Sequence, residues 1–161
     1  TQFRAVLGDP LNTTPNQTAG RREVNWDGAP ANITNNNNFP LDFFNSTDPA
    51  VGNARKRGLL YVGNGTVLRL DSSSFAEIEA TYADNFKAFS QKKAIISVNS
   101  NITEIEFRVP GTNTPASVKG FGIVFSVVDQ DNYTTVQFFN GNKDEGVSCI
   151  LFSELGFFIN Q

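Results

Sequence analysis

The chain has no histidine and no methionine, one cysteine and one tryptophan, and only 18% of its 161 residues are charged. Each scarcity excludes a class of chemistry. Without histidine there is no Ser-His-Asp or Cys-His machinery and no imidazole metal ligand. A single cysteine, Cys149, closes neither an internal disulfide nor a zinc cluster. Its setting, Val147-Ser148-Cys149-Ile150-Leu151, reads as a buried strand residue rather than a reactive thiol. No run of 18 apolar residues occurs, so no membrane-spanning helix is expected. With 13 basic against 16 acidic residues the net charge is −3. That balance argues against nucleic acid and anionic membranes as partners. Arg21-Arg22, Arg55-Lys56-Arg57 and Lys92-Lys93 are short basic groups without interleaved aromatics, and read as solvated charge. The chain starts at Thr1 and lacks Met throughout, which reads as a processed chain whose leader has been removed, hence exported and extracellular.

What is present is β-forming. Phe3, Ala5 and Leu7 alternate with Gln2 and Arg4, so residues 1–8 read as an amphipathic strand. Residues 9–20, rich in Pro, Thr, Asn and Gly, read as a linker. The body spans residues 21–161. Its first part, through Arg57, reads as long loops around an Asn35–Asn38 tract, anchored by Trp26, Phe39, Leu41, Phe43 and Phe44. Two apolar runs around Gly63-Asn64-Gly65 predict a β-hairpin over residues 58–70. Phe75, Ile78, Tyr82, Phe86 and Phe89 recur at helical spacing, which predicts a turn or two near Tyr82 to Phe89. Strands are expected at 94–98, 102–109, 118–128, 134–139, 147–152 and 156–159. In the second of these, Ile105, Phe107 and Val109 alternate with Glu104, Glu106 and Arg108, the mark of a strand solvated on one face. The fold class expected is all-β, an immunoglobulin-like or jelly-roll-type β-sandwich.

Chemistry-bearing patterns are sparse. Glu104 with Glu106, Asp129 with Asp131, and Asp144 with Glu145 are paired carboxylates of the sort glycosidases use, but 16 acids produce such pairs without function. Asp129 and Asp131 carry oxygen ligands at calcium-like spacing, yet Tyr133 and the lack of a later bidentate Glu break the calcium-loop pattern, so no metal and no cofactor is expected. Asn-X-Ser/Thr sites stand out at Asn12, Asn16, Asn32, Asn45, Asn64, Asn101 and Asn132. About three are expected from 19 Asn in a chain with 24 Ser and Thr. All fall in predicted loops, where covalent glycans attach.

Two stretches, Gly20-Arg21-Arg22-Glu23-Val24-Asn25-Trp26-Asp27-Gly28 and the run from Val109 to Gly122, resemble signatures of a broad family of exported bacterial domains of uncharacterised function. The resemblance covers roughly residues 20–159 and implies a β-sandwich with no known catalytic residues. It also implies one further strand after Gly156-Phe157-Phe158, which this sequence lacks. An incomplete sandwich leaves an open apolar groove. The strand Phe3, Ala5, Leu7 is then expected to plug the groove of a neighbouring copy, giving a homopolymer by donor-strand exchange, in architecture similar to pilus subunits. A second reading is a carbohydrate-binding module using Trp26, Tyr61 or Tyr133. A third, an enzyme with a carboxylate pair, would depend on Glu104 or Asp129.

Overall fold

The computed structural model describes residues 2–63, 65–90, 92–126, 133–141, 143–149 and 158–160. Strand exceeds helix, 28% against 11%, so the chain is β-rich, as its alternation predicts. All named strand pairs are antiparallel. Strands β1 (Arg21–Glu23) and β6 (Gly120–Gly122) both pair with β9 (Phe158–Asn160). Strand β2 (Leu59–Val62) pairs with β5 (Glu104–Phe107), β3 (Val67–Asp71) with β4 (Ala94–Val98), and β7 (Thr135–Asn140) with β8 (Lys143–Cys149). Asp144 and Glu145, which fall between the strands expected at 134–139 and 147–152, belong instead to a strand, and the ladder shifts register between Phe138 and Phe139.

The hairpin predicted around Asn64 does not form. β2 and β3 lie next to each other in sequence but belong to different ladders. The reason is local. The Thr66 hydroxyl donates to the Val62 carbonyl at 2.9 Å, and the Thr66 N–H to Gly63 O at 3.3 Å. A side chain thus takes the carbonyl that would open a two-residue hairpin ladder. Gly63, at φ +119°, has no room for a Cβ, which would lie 2.4 Å from that hydroxyl. The chain turns a corner instead, and it does so again between β4 and β5. Leu59 and Tyr61 from β2 and Leu68 and Leu70 from β3 meet in one core cluster, with Ile95 of β4 and Ile105 and Phe107 of β5 packed against it.

The aromatic loop closes one side of this core. Phe39 lies 4.9 Å from Phe43, and Phe43 stacks edge-on to Phe44 at 5.0 Å, rings close enough to add attraction beyond their burial. The loop backbone also caps two strand edges. Asn35 and Phe39 donate to the Leu70 and Leu68 carbonyls of β3, while Tyr61 and Gly58 donate to Leu41 and Phe44. These bonds answer the question of where a long polar loop finds partners for its backbone. They also cover the outer edges of β2 and β3.

Residues Gln2–Leu7 are a helix, α1, and not the strand that their alternation predicts. Val6 breaks the alternation, and Gln, Arg, Ala and Leu all favour helix. Gly8, at φ +96°, ends it by donating to Arg4 O at 3.1 Å, the left-handed stop that glycine supplies after a last helical turn. Leu7 is buried, Val6 is 77% exposed, and Arg4 pairs with Glu23. Nor is the expected linker free along its length: Pro10 and Asn12 hydrogen-bond both backbone groups of Arg21, forming a parallel bridge beside β1.

The helical spacing at residues 75–89 yields one short helix, α2 (Tyr82–Asn85). Phe75 and Tyr82 both stack edge-on to Phe86. Before it, Asp71 ends β3 as a buried hub. Its carboxylate accepts from the Ser73 N–H and hydroxyl and the Phe75 N–H at 2.7–2.8 Å, and pairs with Arg69 at 2.9 Å.

Candidate functional site

Of the four strands around the core, β4 and β5 carry their unpaired edges, among the described residues, on the side away from the aromatic loop. Among the described residues the outer edge of β4 and the Glu104–Glu106 stretch of β5 have no backbone partner; at the end of β5, Phe107 O accepts from Ala116 N at 3.0 Å. Both edges face a cleft of about 2010 Å³. Ile95, Ile105, Phe107, Val118, Phe121 and Phe125 supply apolar wall, and Arg4 of α1 reaches its rim. Phe107 and Phe121, both lining it, lie against each other with ring centroids 5.8 Å apart. Small-molecule pockets run to about 300–1,000 Å³, so this cleft is of a size for a polypeptide segment.

The turn after β5 explains one of the sequence signatures. Val109 N–H donates to Thr114 O, and both the Thr112 N–H and its hydroxyl bond Val109 O at 2.9 Å. Gly111 takes φ +75°, and its N–H donates to Asn45 Oδ1 at 3.1 Å, while Asn45 Nδ2 donates to Thr112 O at 2.9 Å. Asn45 is thus a clasp between the aromatic loop and the cleft wall. An Asn45→Ala variant is expected to lose about 1–3 kcal/mol, read as a lower urea midpoint, because it strands two backbone groups at once.

That geometry corrects the glycan reading at two of the seven sites. Asn45 and Asn12 are each 3% exposed, and the amide nitrogen a sugar would occupy is engaged in both, at Asn12 by Ala19 O at 2.6 Å. Asn16, Asn32 and Asn101 are exposed. Asn64 and Asn132 lie outside the described residues, as do Asp129 and Asp131.

The three aromatics proposed for sugar binding separate. Tyr61 is a core residue, 2% exposed, and burial pushes its hydroxyl well above the ordinary tyrosine value, with the neighbouring Trp26 indole opposing that rise. Trp26 is partly buried against the core and stacks edge-on to Phe44. Only Tyr133, 82% exposed, meets solvent as that reading needs. The alternation that marks a strand does not say which face is inward, so Tyr61 could not be assigned from sequence.

Glu104 and Glu106 are exposed on β5, Glu106 paired with Arg108. Among the described residues no group of three or more metal-ligating side chains occurs, and no helix is long and apolar enough to cross a membrane. The chain is thus β-rich, with an apolar cleft bordered, among the described residues, by strand edges without backbone partners. No family model, curated protein or solved structure matches the chain.

Proposed function

We propose that this chain is a non-enzymatic structural subunit of an extracellular filament, an incomplete β-sandwich whose cleft between β4 and β5 receives the N-terminal segment of a second copy. The cleft carries the reading: an apolar floor bordered, among the described residues, by unpaired backbone at β4 and at Glu104–Glu106 of β5 is what an added strand requires. The donor is residues 1–8. In the isolated chain residues 2–7 are helical, but six residues are too few for a helix to hold itself, since stability in water needs about 12–15. Releasing it gives up the burial of Leu7, about 1.5–3 kcal/mol, and the partly exposed Arg4–Glu23 pair, about 0–1 kcal/mol. In extended form the same residues place Phe3, Ala5 and Leu7 on one face. A strand of several ladder bonds, each about 0.5–1.5 kcal/mol, together with reburial of Leu7 on the cleft floor, is what offsets that cost in this reading. Glycans on Asn16 and Asn32 fit an exposed, extracellular fibre, whereas one on Asn101, which lines the cleft, competes with the donor strand.

The test compares the full chain with one lacking residues 1–8 by electron microscopy and light scattering. Fibres from the full chain, absent after deletion, with a Thr1-to-Leu7 peptide binding the truncated protein, are the expected result. Monomers from both chains, and no peptide binding, overturn the mechanism. The second reading, a carbohydrate-binding module, draws on the exposure of Tyr133 and of Phe139 on β7. It is the reading to pursue if a polysaccharide pull-down is lost on Tyr133→Ala.

A further inference from the structure

We propose that Arg4 of the incoming strand pairs with Glu104 of the copy that receives it, and that this contact directs the strand to the edge of β5 rather than to that of β4. The inference deepens the filament reading and rests on it. Which backbone groups each edge offers follows from the bonds already made. Arg108 N donates to Gly58 O across to β2, so by antiparallel alternation Glu104 and Glu106 turn their backbone groups toward β2 and Ile105 turns its own toward the cleft. Phe107 points the same way as Ile105, and there its carbonyl accepts from Ala116 N. On β3 the carbonyls of Leu68 and Leu70 are turned to the aromatic loop, which leaves Ile95 and Ser97 as the outward groups of β4. Backbone alone therefore does not choose between the two edges.

Side chains do choose. Residues opposite each other in a ladder share a face, so a donor residue opposite Ile105 is one of Phe3, Ala5 and Leu7. With Phe3 or Ala5 there, Arg4 stands on the outer face opposite Glu104 or Glu106, whichever way the strand runs. Leu7 in that place would carry Arg4 past the end of β5. Glu106 is already paired with Arg108, whereas Glu104 is exposed and enters no ion pair among the described residues. The corresponding face of β4, opposite the core-packed Ile95, presents Ala94, Ile96 and Val98, which hold no charge. Arg4 is the sole charged side chain of residues 1–8, so charge complementarity selects β5. In the isolated chain Arg4 is held by Glu23. When the segment leaves, Glu23 keeps Arg21 at 2.9 Å, so the exchange leaves neither partner without a counter-charge.

The experiment uses full-length chains: wild type, Arg4→Glu, Glu104→Arg, and an equal mixture of the two variants. Alone, each variant sets like charges opposite each other at every junction. In the mixture each donor finds the opposite charge on the other variant, so the two alternate along the fibre. The critical concentration for fibres, read by sedimentation and electron microscopy, is expected to rise about three- to tenfold in each single variant and to return to the wild-type value in the mixture, with both variants folded by circular dichroism. Loss of the Arg4–Glu23 pair inside a chain is not repaired by mixing, so recovery reports the contact between copies. Single variants that assemble as readily as wild type, or a mixture that stays impaired, overturn the pairing and leave the filament reading standing. Wild-type chains that form no fibres overturn the filament reading and the pairing with it. Should Glu104→Arg fail to fold, Glu104→Gln replaces it: a raised critical concentration with weaker dependence on added salt than wild type is then expected, and an unchanged salt dependence overturns the pairing.

Discussion

Replacing Asp71 by alanine is expected to destabilise the chain by about 3–5 kcal/mol at neutral pH, read from urea unfolding. The carboxylate is 1% exposed and gathers four interactions, three of them from Ser73 and Phe75 just after the strand. Removing it leaves the buried Phe75 N–H without an acceptor, and leaves Arg69 with Glu77, a half-exposed partner 3.2 Å away. The bend it secures is also unfavourable in itself. Ser74 and Phe75 both sit at positive φ, 55° and 61°, which costs an L-residue about 1–2 kcal/mol each. Without the hub the bend relaxes and Phe75, 4% exposed, loses its seat against Phe86.

The same residue sets an acid limb. Burial alone would raise the Asp71 pKa, but the hydrogen bonds from Phe75 and Ser73, together with Arg69, outweigh it and hold the group below its ordinary 3.8. A carboxyl group depressed in the folded state contributes stability that is fully present above its unfolded pKa and fades as pH falls toward the folded one. The gap between wild type and Asp71→Ala is therefore expected to be constant from pH 7 down to about 5. Below pH 4 it should narrow. A gap that stays level down to pH 2 would mean that the folded carboxylate gains nothing from its charge.

How much of this was legible from sequence depends on whether a signal was local or long-range. Strand β4 occupies the predicted residues 94–98, and β5 shows the alternation of exposed Glu104 and Glu106 with half-buried Ile105 and Phe107, because side-chain period is a property of the strand alone. The aromatic anchors Phe39, Phe43 and Phe44 are core residues as read, since a polar loop has few other ways to attach. Pairing was not legible. Gly63-Asn64-Gly65 suits a hairpin by composition, and only the Thr66 hydroxyl on Val62 O turns it into a corner between ladders. The N-terminal helix has a signal of its own, since Gly8 followed by Pro10 is a helix stop, set against an alternation that Val6 already breaks. The candidate sites divide in the same way. Exposure of Asn16 and burial of Asn45 are opposite outcomes for one motif, decided by whether a distant turn at Gly111 and Thr112 needs the amide. Arg22, read with Arg21 as solvated charge, is instead buried at 1% exposure, because a charged residue inside Arg-Arg-Glu looks like surface until its strand is placed between neighbours.

Gly58 joins the aromatic core to the wall of the cleft, and Gly58→Ala is expected to be the second most damaging small substitution, at about 3–4 kcal/mol. Its φ is +75°, and a Cβ there would lie 2.3 Å from the carbonyl oxygen of Arg108 and 3.2 Å from Pro110 Cγ. The first of these is backbone, which cannot rotate aside. Gly58 is also fixed from both ends, its N–H donating to Phe44 O at 3.0 Å and its carbonyl accepting from Arg108 N at 2.8 Å. A methyl group must therefore part β2 from β5 where Leu59 pairs with Phe107. For a domain of this size the loss corresponds to a melting temperature lower by roughly 6–15 °C. Gly52→Ala is the control. That position has no positive φ and no atom within 4 Å of a new Cβ, so alanine there should shift stability by no more than about 0.5 kcal/mol. The pair also probes assembly. If β5 is one wall of a strand-accepting cleft, Gly58→Ala should weaken capture of the Thr1-to-Leu7 peptide at temperatures where the chain is still folded, and Gly52→Ala should leave it unchanged. Equal capture by both variants would separate the cleft from β5 and move the acceptor edge to β4.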